Sequence, residues 1–279
     1  MAERKDRLIR FLLPGAHARG AIIRAENIVE DATKVHGLSD TPAELFGKTL
    51  IASILLLSIS KGGMRQVLQL DALPEQIQAP IKRILAEARL GTVRGYLNWG
   101  EDGLQTRGRH EHGISAWMGR PIRTSVLRDL GIGQPYLSTI EHDSDFMADH
   151  ILHFLTLSAQ IQSDVVMHGD LGMMIEAIPG SDQDHWFKAV EAMAKITDEQ
   201  LKSDDPESIL DAFAALDCKI VSEDEYAYQC SCKPETMAAA LHNIPVEELH
   251  ELADKNGMVT LSCQYCNSSY ELDVHSIDN

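Results

Sequence analysis

The chain has 279 residues, 44% hydrophobic and 24% charged, which is enough apolar content for at least one full core and excludes wholesale disorder. Its net charge is −17 and unevenly spread: Asp198 to Asn279 carry 18 acidic and four basic residues, or −14, against −3 for the first 197. That acidic final third repels phosphate backbones and speaks against nucleic-acid binding there.

In chain order, the first apolar run is "LIRFLL". Arg10 interrupts it and no small-residue cleavage site follows, so it does not read as a signal peptide. "DTPAELFGK" reads as a helix start, with Thr41 as cap, Pro42 at the first helical position and Glu44 closing a capping box. The helix continues through "LIASILLLSIS", Leu50 to Ser60, and stops at Lys61, Gly62 and Gly63. This run is too short to span a bilayer and apolar nearly all round, which predicts a buried central helix. A soluble cytosolic protein without a membrane partner is expected.

Strand patterns follow. "RQVLQLDA" alternates, with Leu68 and Leu70 on one face, and "GTVRGYLNWG" is rich in β-formers between glycines. "HDSDFMADHILHFLTLSAQI" fits a helix that aligns Met147, Ile151, Phe154 and Leu155. "DVVMHGDLGMMIEAIPG" predicts a hairpin turning at Gly169–Gly172, with a loop longer than two residues. The expected fold class is α+β, with a mixed sheet-and-helix core domain over residues 1–180.

From Ser181 to Glu225 the pattern is helical and increasingly acidic, with a break at Pro206. It offers little apolar surface, so residues 181–225 read as a helical linker of marginal stability. Residues 226–279 read as a small α+β unit. "EYAYQCSC" would place Tyr226, Tyr228, Cys230 and Cys232 on one face if extended. Pro234 opens one short helix, "PETMAAALHN". Pro245 opens a second, which buries Val246, Leu249 and Leu252/Ala253 and stops at Gly257. "MVTLSC" and "YELDV" are strands around a turn. The unit has too few large apolar residues to fold without a staple.

Four of the five cysteines, Cys230, Cys232, Cys263 and Cys266, form a C-x-C and a C-x2-C pair. In a cytosolic chain they read as metal ligands or redox thiols rather than structural disulfides. Four thiolates in two close pairs match a structural zinc site, which has no open position for water and is therefore a poor catalytic centre. No enzyme is expected. Thiolate is also the oxidisable form, so oxidation could join the thiols within each pair, release the metal and remove the staple.

This arrangement resembles the heat-shock protein 33 family, the redox-regulated holdases of the bacterial cytosol. "LIASILLLSISKGGMRQVLQLDA", "GTVRGYLNW" and "GDLGMMIEAIPG" resemble parts of that family's core domain. The resemblance implies one zinc ion on Cys230, Cys232, Cys263 and Cys266 in a reduced, inactive state. It implies disulfides Cys230–Cys232 and Cys263–Cys266 on oxidation, followed by zinc loss and unfolding of the zinc domain and linker. Unfolding client proteins are then held without ATP, and members dimerise on activation. The stretch Gly131–Ser163 departs from the family pattern and is shorter by a strand. Cys218 lies outside the motif and reads as a small apolar residue.

Two other readings share some of these residues. A zinc-ribbon nucleic-acid-binding or interaction protein would use the same cysteines, with Arg107–Gly113 as its basic patch; that loop reads as solvated. A metalloenzyme could use His150, His153 and Asp149, or His168 and Asp170, but no third ligand stands at a recognisable spacing.

Overall fold

The computed structural model describes residues 5–60, 62–101, 103, 112–203, 205–241 and 244–274. The chain forms two compact units, Met1–Tyr228 and Gln229–Asn279. The basic stretch beginning at Arg107 lies outside the described residues up to residue 111.

The first unit runs β1 (Asp6–Leu13), β2 (Ala18–Arg24), α1 (Glu26–His36), α2 (Asp40–Ile59), β3 (Arg65–Ala72), β4 (Ile81–Arg89), β5 (Thr92–Trp99), α3 (Ile114–Met118), β6 (Ile122–Asp129), β7 (Tyr136–His142), α4 (Met147–Phe154), β8 (Ser163–His168), β9 (Leu171–Ala177), α5 (Gln183–Met193), α6 (Asp198–Leu201), α7 (Glu207–Leu210) and β10 (Lys219–Tyr228). Among the described residues the strands form one ten-stranded sheet ordered β7-β6-β3-β4-β5-β10-β1-β2-β9-β8. Every pairing is antiparallel except β10 against β5, which is parallel and rests on two register pairs, Ala227↔Thr92 and Tyr228↔Val93.

Helix α2 lies on one face of this sheet, buried from Leu45 through Leu57 on nearly every side. Alone among the described helices it has the length and hydropathy to cross a membrane, and it occupies the core instead. Two glycines let it approach: a Cβ at Gly95 would strike Leu85 O and Phe46, and one at Gly172 would strike Ile51. The helix starts at Asp40, with Ser39 at the N-cap. Thr41 is thus buried inside the first turn rather than capping it, and Pro42 is the third helical residue rather than the first, a boundary shift of the usual size. It ends at Ile59, before the expected stop.

The hairpin β8–β9 is tighter than expected. His168 pairs with Leu171, which leaves a two-residue turn, Gly169–Asp170, with Gly169 at φ +56°. Residues Gly131–Ser163 hold β7, antiparallel to β6, then α4 and a π-helical turn, Leu155–Ala159.

The opposite face of the sheet has two characters. At β1, β2 and β9 it carries Ile9, Phe11, Leu13, Ile22, Met173 and Ile175, all fully or nearly fully buried. The cover is the acidic segment. Helices α5 to α7 and a 3-10 turn, Asp211–Leu216, bury Ala189, Met193, Ile209, Leu210, Phe213 and Leu216 against that face. The segment therefore has more apolar surface than its composition suggests, concentrated on one side. Across β3 to β5 the same face is polar, and Glu87 lies buried beneath Arg65, Arg89 and Arg94 at 3.0–3.1 Å. Burial opposes its charge, but the three guanidiniums win and hold the Glu87 pKa below its usual value.

The second unit contains α8 (Pro234–Leu241), α9 (Val246–Leu252) and a two-stranded antiparallel sheet of β11 (Met258–Ser262) and β12 (Ser269–Asp273). Its buried apolar set is small: Leu241, Leu249, Val259, Leu272 and Val274. Of the expected pair Leu252/Ala253, Ala253 packs against this core while Leu252 is 62% exposed, and α9 ends at Leu252 rather than near Gly257.

Candidate metal centre

The β11–β12 hairpin presents one cysteine pair. Ser262 pairs with Ser269, and the residues between them form a tight turn. Cys263 O accepts from Asn267 N at 2.8 Å and Cys266 N at 3.4 Å, while Cys263 N donates to Ser268 O at 2.9 Å. Asn267 takes φ +57°, which an Asx residue tolerates. These bonds turn Cys263 and Cys266 to one side. Cys230 and Cys232 come from the irregular chain between β10 and α8. The expected alternation therefore does not place them, since the strand ends at Tyr228. Their position is set by the helix start, where Lys233 N donates to Thr236 Oγ1 at 3.0 Å.

All four sulfurs lie within 4.8 Å of one another, so the four cysteines could hold a metal ion. Cys230 Sγ is 3.7 Å from Cys263 Sγ, and Cys232 Sγ is 3.3 Å from Cys266 Sγ. Desolvation, with hydrogen bonds shared among the sulfurs, pushes Cys232 up to about 12. Desolvation also opposes ionisation of Cys266, but contacts from Ser268 outweigh it and bring that thiol down to about 7. Two supporting groups carry no signal in the cysteine spacing. Tyr270 Oη lies 3.1 Å from Cys232 Sγ, and Ser268 Oγ lies 3.3 Å from Cys266 Sγ. The contact with Cys232, followed by desolvation, raises Tyr270 to about 12. Register finds Tyr270: it follows the C-x2-C turn by four residues, on the strand that returns beside the site.

The other candidate residues do not converge. Cys218 sits before β10 against the apolar cover of the sheet, and burial pushes its thiol up. His150 is fully buried, with Nε2 3.1 Å from Ser144 O. Burial, followed in effect by neighbouring His142, outweighs that contact and lowers its pKa. Asp170 pairs with Arg24 at 2.6 Å. Among the described residues, the cysteine quartet is the one cluster with the spacing of a metal site.

The Hsp33 protein family model matches residues 6–273. The chain belongs to the Hsp33 family. Relatives named 33 kDa chaperonin include those of Geobacter sulfurreducens, 27% identical over 98% of this chain and 94% of the relative, and Streptococcus agalactiae, 27% identical over 98% of both. The Aquifex aeolicus relative is 26% identical over 92% of this chain and 83% of its own length. A crystal structure of the 33 kDa chaperonin (heat shock protein 33 homolog) of Thermotoga maritima superposes with a TM-score of 0.77. It covers 98% of this chain and 96% of that one at 23% identity, so the Hsp33 fold is shared. The C-terminal cysteine cluster is compatible with redox regulation of an Hsp33 chaperone.

Proposed function

We propose that this chain is a redox-regulated, ATP-independent holdase of the bacterial cytosol. The observation that carries the reading is four sulfurs within 4.8 Å of one another in a unit whose buried apolar core, among the described residues, is five side chains. Zinc fits the donor set: tetrahedral Zn–S bonds near 2.3 Å put sulfurs about 3.8 Å apart, by the geometry of such sites. Bound zinc supplies charge neutralisation and a cross-link, and Cys230, Cys232, Cys263 and Cys266 are its ligands. A core this thin depends on that link for its fold.

Oxidation removes the link. A thiolate attacks peroxide, becoming a sulfenic acid and releasing hydroxide. The neighbouring thiol then displaces water to close a disulfide, at one peroxide per bond. Family resemblance assigns the bonds as Cys230–Cys232 and Cys263–Cys266, although the two shortest separations given above run between the pairs. Peptide mapping of the oxidised protein distinguishes the two pairings. With the metal gone, residues 226–279 unfold and the segment 181–225 loosens. The strongly apolar face of β1, β2 and β9 then becomes available to unfolding clients, and activated chains pair as homodimers.

The test is zinc content and suppression of a model client's aggregation, without ATP, before and after peroxide with mild heat. Zinc release together with a gain in suppression supports the reading. Oxidised protein that retains zinc, or performs no better than reduced protein, rejects it.

A further inference from the structure

We propose that the first unit contains a binding site for a medium-chain carboxylate, a fatty-acid anion of roughly octanoate size, with Arg128 as the carboxylate receptor. The site is independent of the redox reading. It is a partly open cavity of about 250 Å³ between the C-terminal end of α2, strands β3, β6 and β7, and the π-helical turn after α4.

The charge argument comes first. Arg7, Arg10, Arg19, Arg24, Arg65, Arg83, Arg89, Arg94, Arg120 and Arg123 each have a carboxylate partner. Arg128 is the one described arginine with no ion pair, and its buried Nε makes no hydrogen bond. A buried N–H without an acceptor, here Arg128 Nε in a half-buried side chain, is costly until an acceptor arrives. The acceptor it fits best is a planar carboxylate, which two of its N–H groups can hold side by side.

The walls supply the rest of the ligand's description. Arg128 sits in a cross-strand row between Gln66 of β3 and Tyr136 of β7, and this row forms one polar edge of the cavity. Beyond it the lining is mostly hydrocarbon, Leu56, Val126, Phe154, Leu155 and Ile161 among it, with the hydroxyls of Ser60 and Ser158. A mostly apolar pocket with a few polar groups at one end is the usual form of a site for a small amphipathic molecule. At roughly 30 Å³ per water-sized group, the cavity holds about eight such groups. That matches a chain of six to eight carbons with its carboxylate at the arginine.

The fourth wall is irregular in a way that makes room. The helix begun at Met147 widens into π geometry over Leu155–Ala159 and ends at Gln160, with φ +53°. π turns are rare and frequently lie at functional sites. Here the turn moves Ser158 and Ala159 to the cavity mouth.

The test uses reduced full-length protein, with calorimetric titration of octanoate and of 1-octanol, and chemical-shift mapping of the site. Octanoate is expected to bind at least about tenfold more tightly than octanol, the factor a charged hydrogen-bond pair provides. Shifts are expected at Val126, Arg128 and Leu155. R128Q should bind the two probes equally, and R128K should retain the preference for octanoate, each shown to be folded by a cooperative melting curve. Equal binding of both probes to the natural protein would indicate a nonspecific apolar groove and overturn the proposal. So would a carboxylate preference that survives in R128Q, or shifts confined to other parts of the molecule. If R128Q fails to fold, the probe preference and shift map of the natural protein decide the question alone.

Discussion

The two units are held together by different physics. Met1–Tyr228 buries large apolar side chains on both sides of part of its sheet, including Trp117, Phe46 and Tyr226 on one side and Phe11 and Phe213 on the other. Gln229–Asn279 has, among the described residues, five buried apolar side chains in its core and four clustered thiols. Burial stabilises in proportion to area and is insensitive to oxidants, whereas a metal link can be removed by chemistry alone. On the proposed reading, one chain thus joins a region held by apolar burial to a region whose fold rests on a metal link that an oxidant can remove.

Removing the metal should break this contrast open most widely. Structural zinc contributes about 10–16 kcal/mol to folding small units. A strong chelator should therefore bring amides of β11 and β12 to full hydrogen exchange while β3 and β4 remain protected. Protection retained in both units would mean that the thin core suffices by itself. Cys232→Ser should give the same pattern without chelator and should bind zinc poorly.

Next in size is the cover of the apolar sheet face. Phe213 is fully buried, its ring 5.6 Å from that of Phe11. Phe213→Ala should cost about 3–5 kcal/mol, as for other buried aromatics. Exchange should rise first in residues 207–216, and aggregation suppression should appear without oxidant. A variant that melts early but stays inactive when reduced would separate the cover from the activity.

Two smaller effects sharpen the comparison from either side. Tyr270→Phe removes the hydroxyl beside Cys232 and should weaken zinc binding about tenfold, the lower end for groups that support metal ligands. Competition with a chromophoric chelator measures this. In the first unit, Glu87→Gln should cost about 1–2 kcal/mol at neutral pH, the scale of a charged hydrogen-bond set. Because the folded pKa is depressed, Glu87 stabilises above its unfolded value of about 4.5 and loses that contribution as pH falls through the folded value. The melting temperatures of the two proteins should converge in that acid range. A gap that persists at pH 2 would assign the effect to packing.

Much of the site was legible because its signal is local. Two cysteine pairs, a helix-opening Pro234 and strands around "CQYCNSS" lie within about forty residues and specify their own geometry. Helix α2 was legible for a related reason, since an all-apolar run of that length fits best in a core. The opposite held for "KIVSEDEYAY". Its acidic run, to Glu225, reads as part of a helical linker of marginal stability, yet it lies in β10, an interior strand of the sheet. The charges are matched from the far end of the chain: Glu225 by Lys5, Glu223 by Arg7 and Asp224 by Arg10. No window along the sequence contains those partners. The buried side of α5 to α7 was missed likewise, because its apolar residues are spread over several short helices and show no single period.

The parallel seam of the sheet has a mechanical consequence. On one side of it stand β7, β6, β3, β4 and β5, and on the other β10, β1, β2, β9 and β8, with only two register pairs joining them. Tyr228 closes the seam: its hydroxyl donates to Gly95 O at 3.1 Å and lies 2.9 Å from His36 Nε2. Two residues later comes Cys230. Tension on the backbone at Gln229 is therefore delivered to the narrowest weld in the sheet, where one phenol is the rivet.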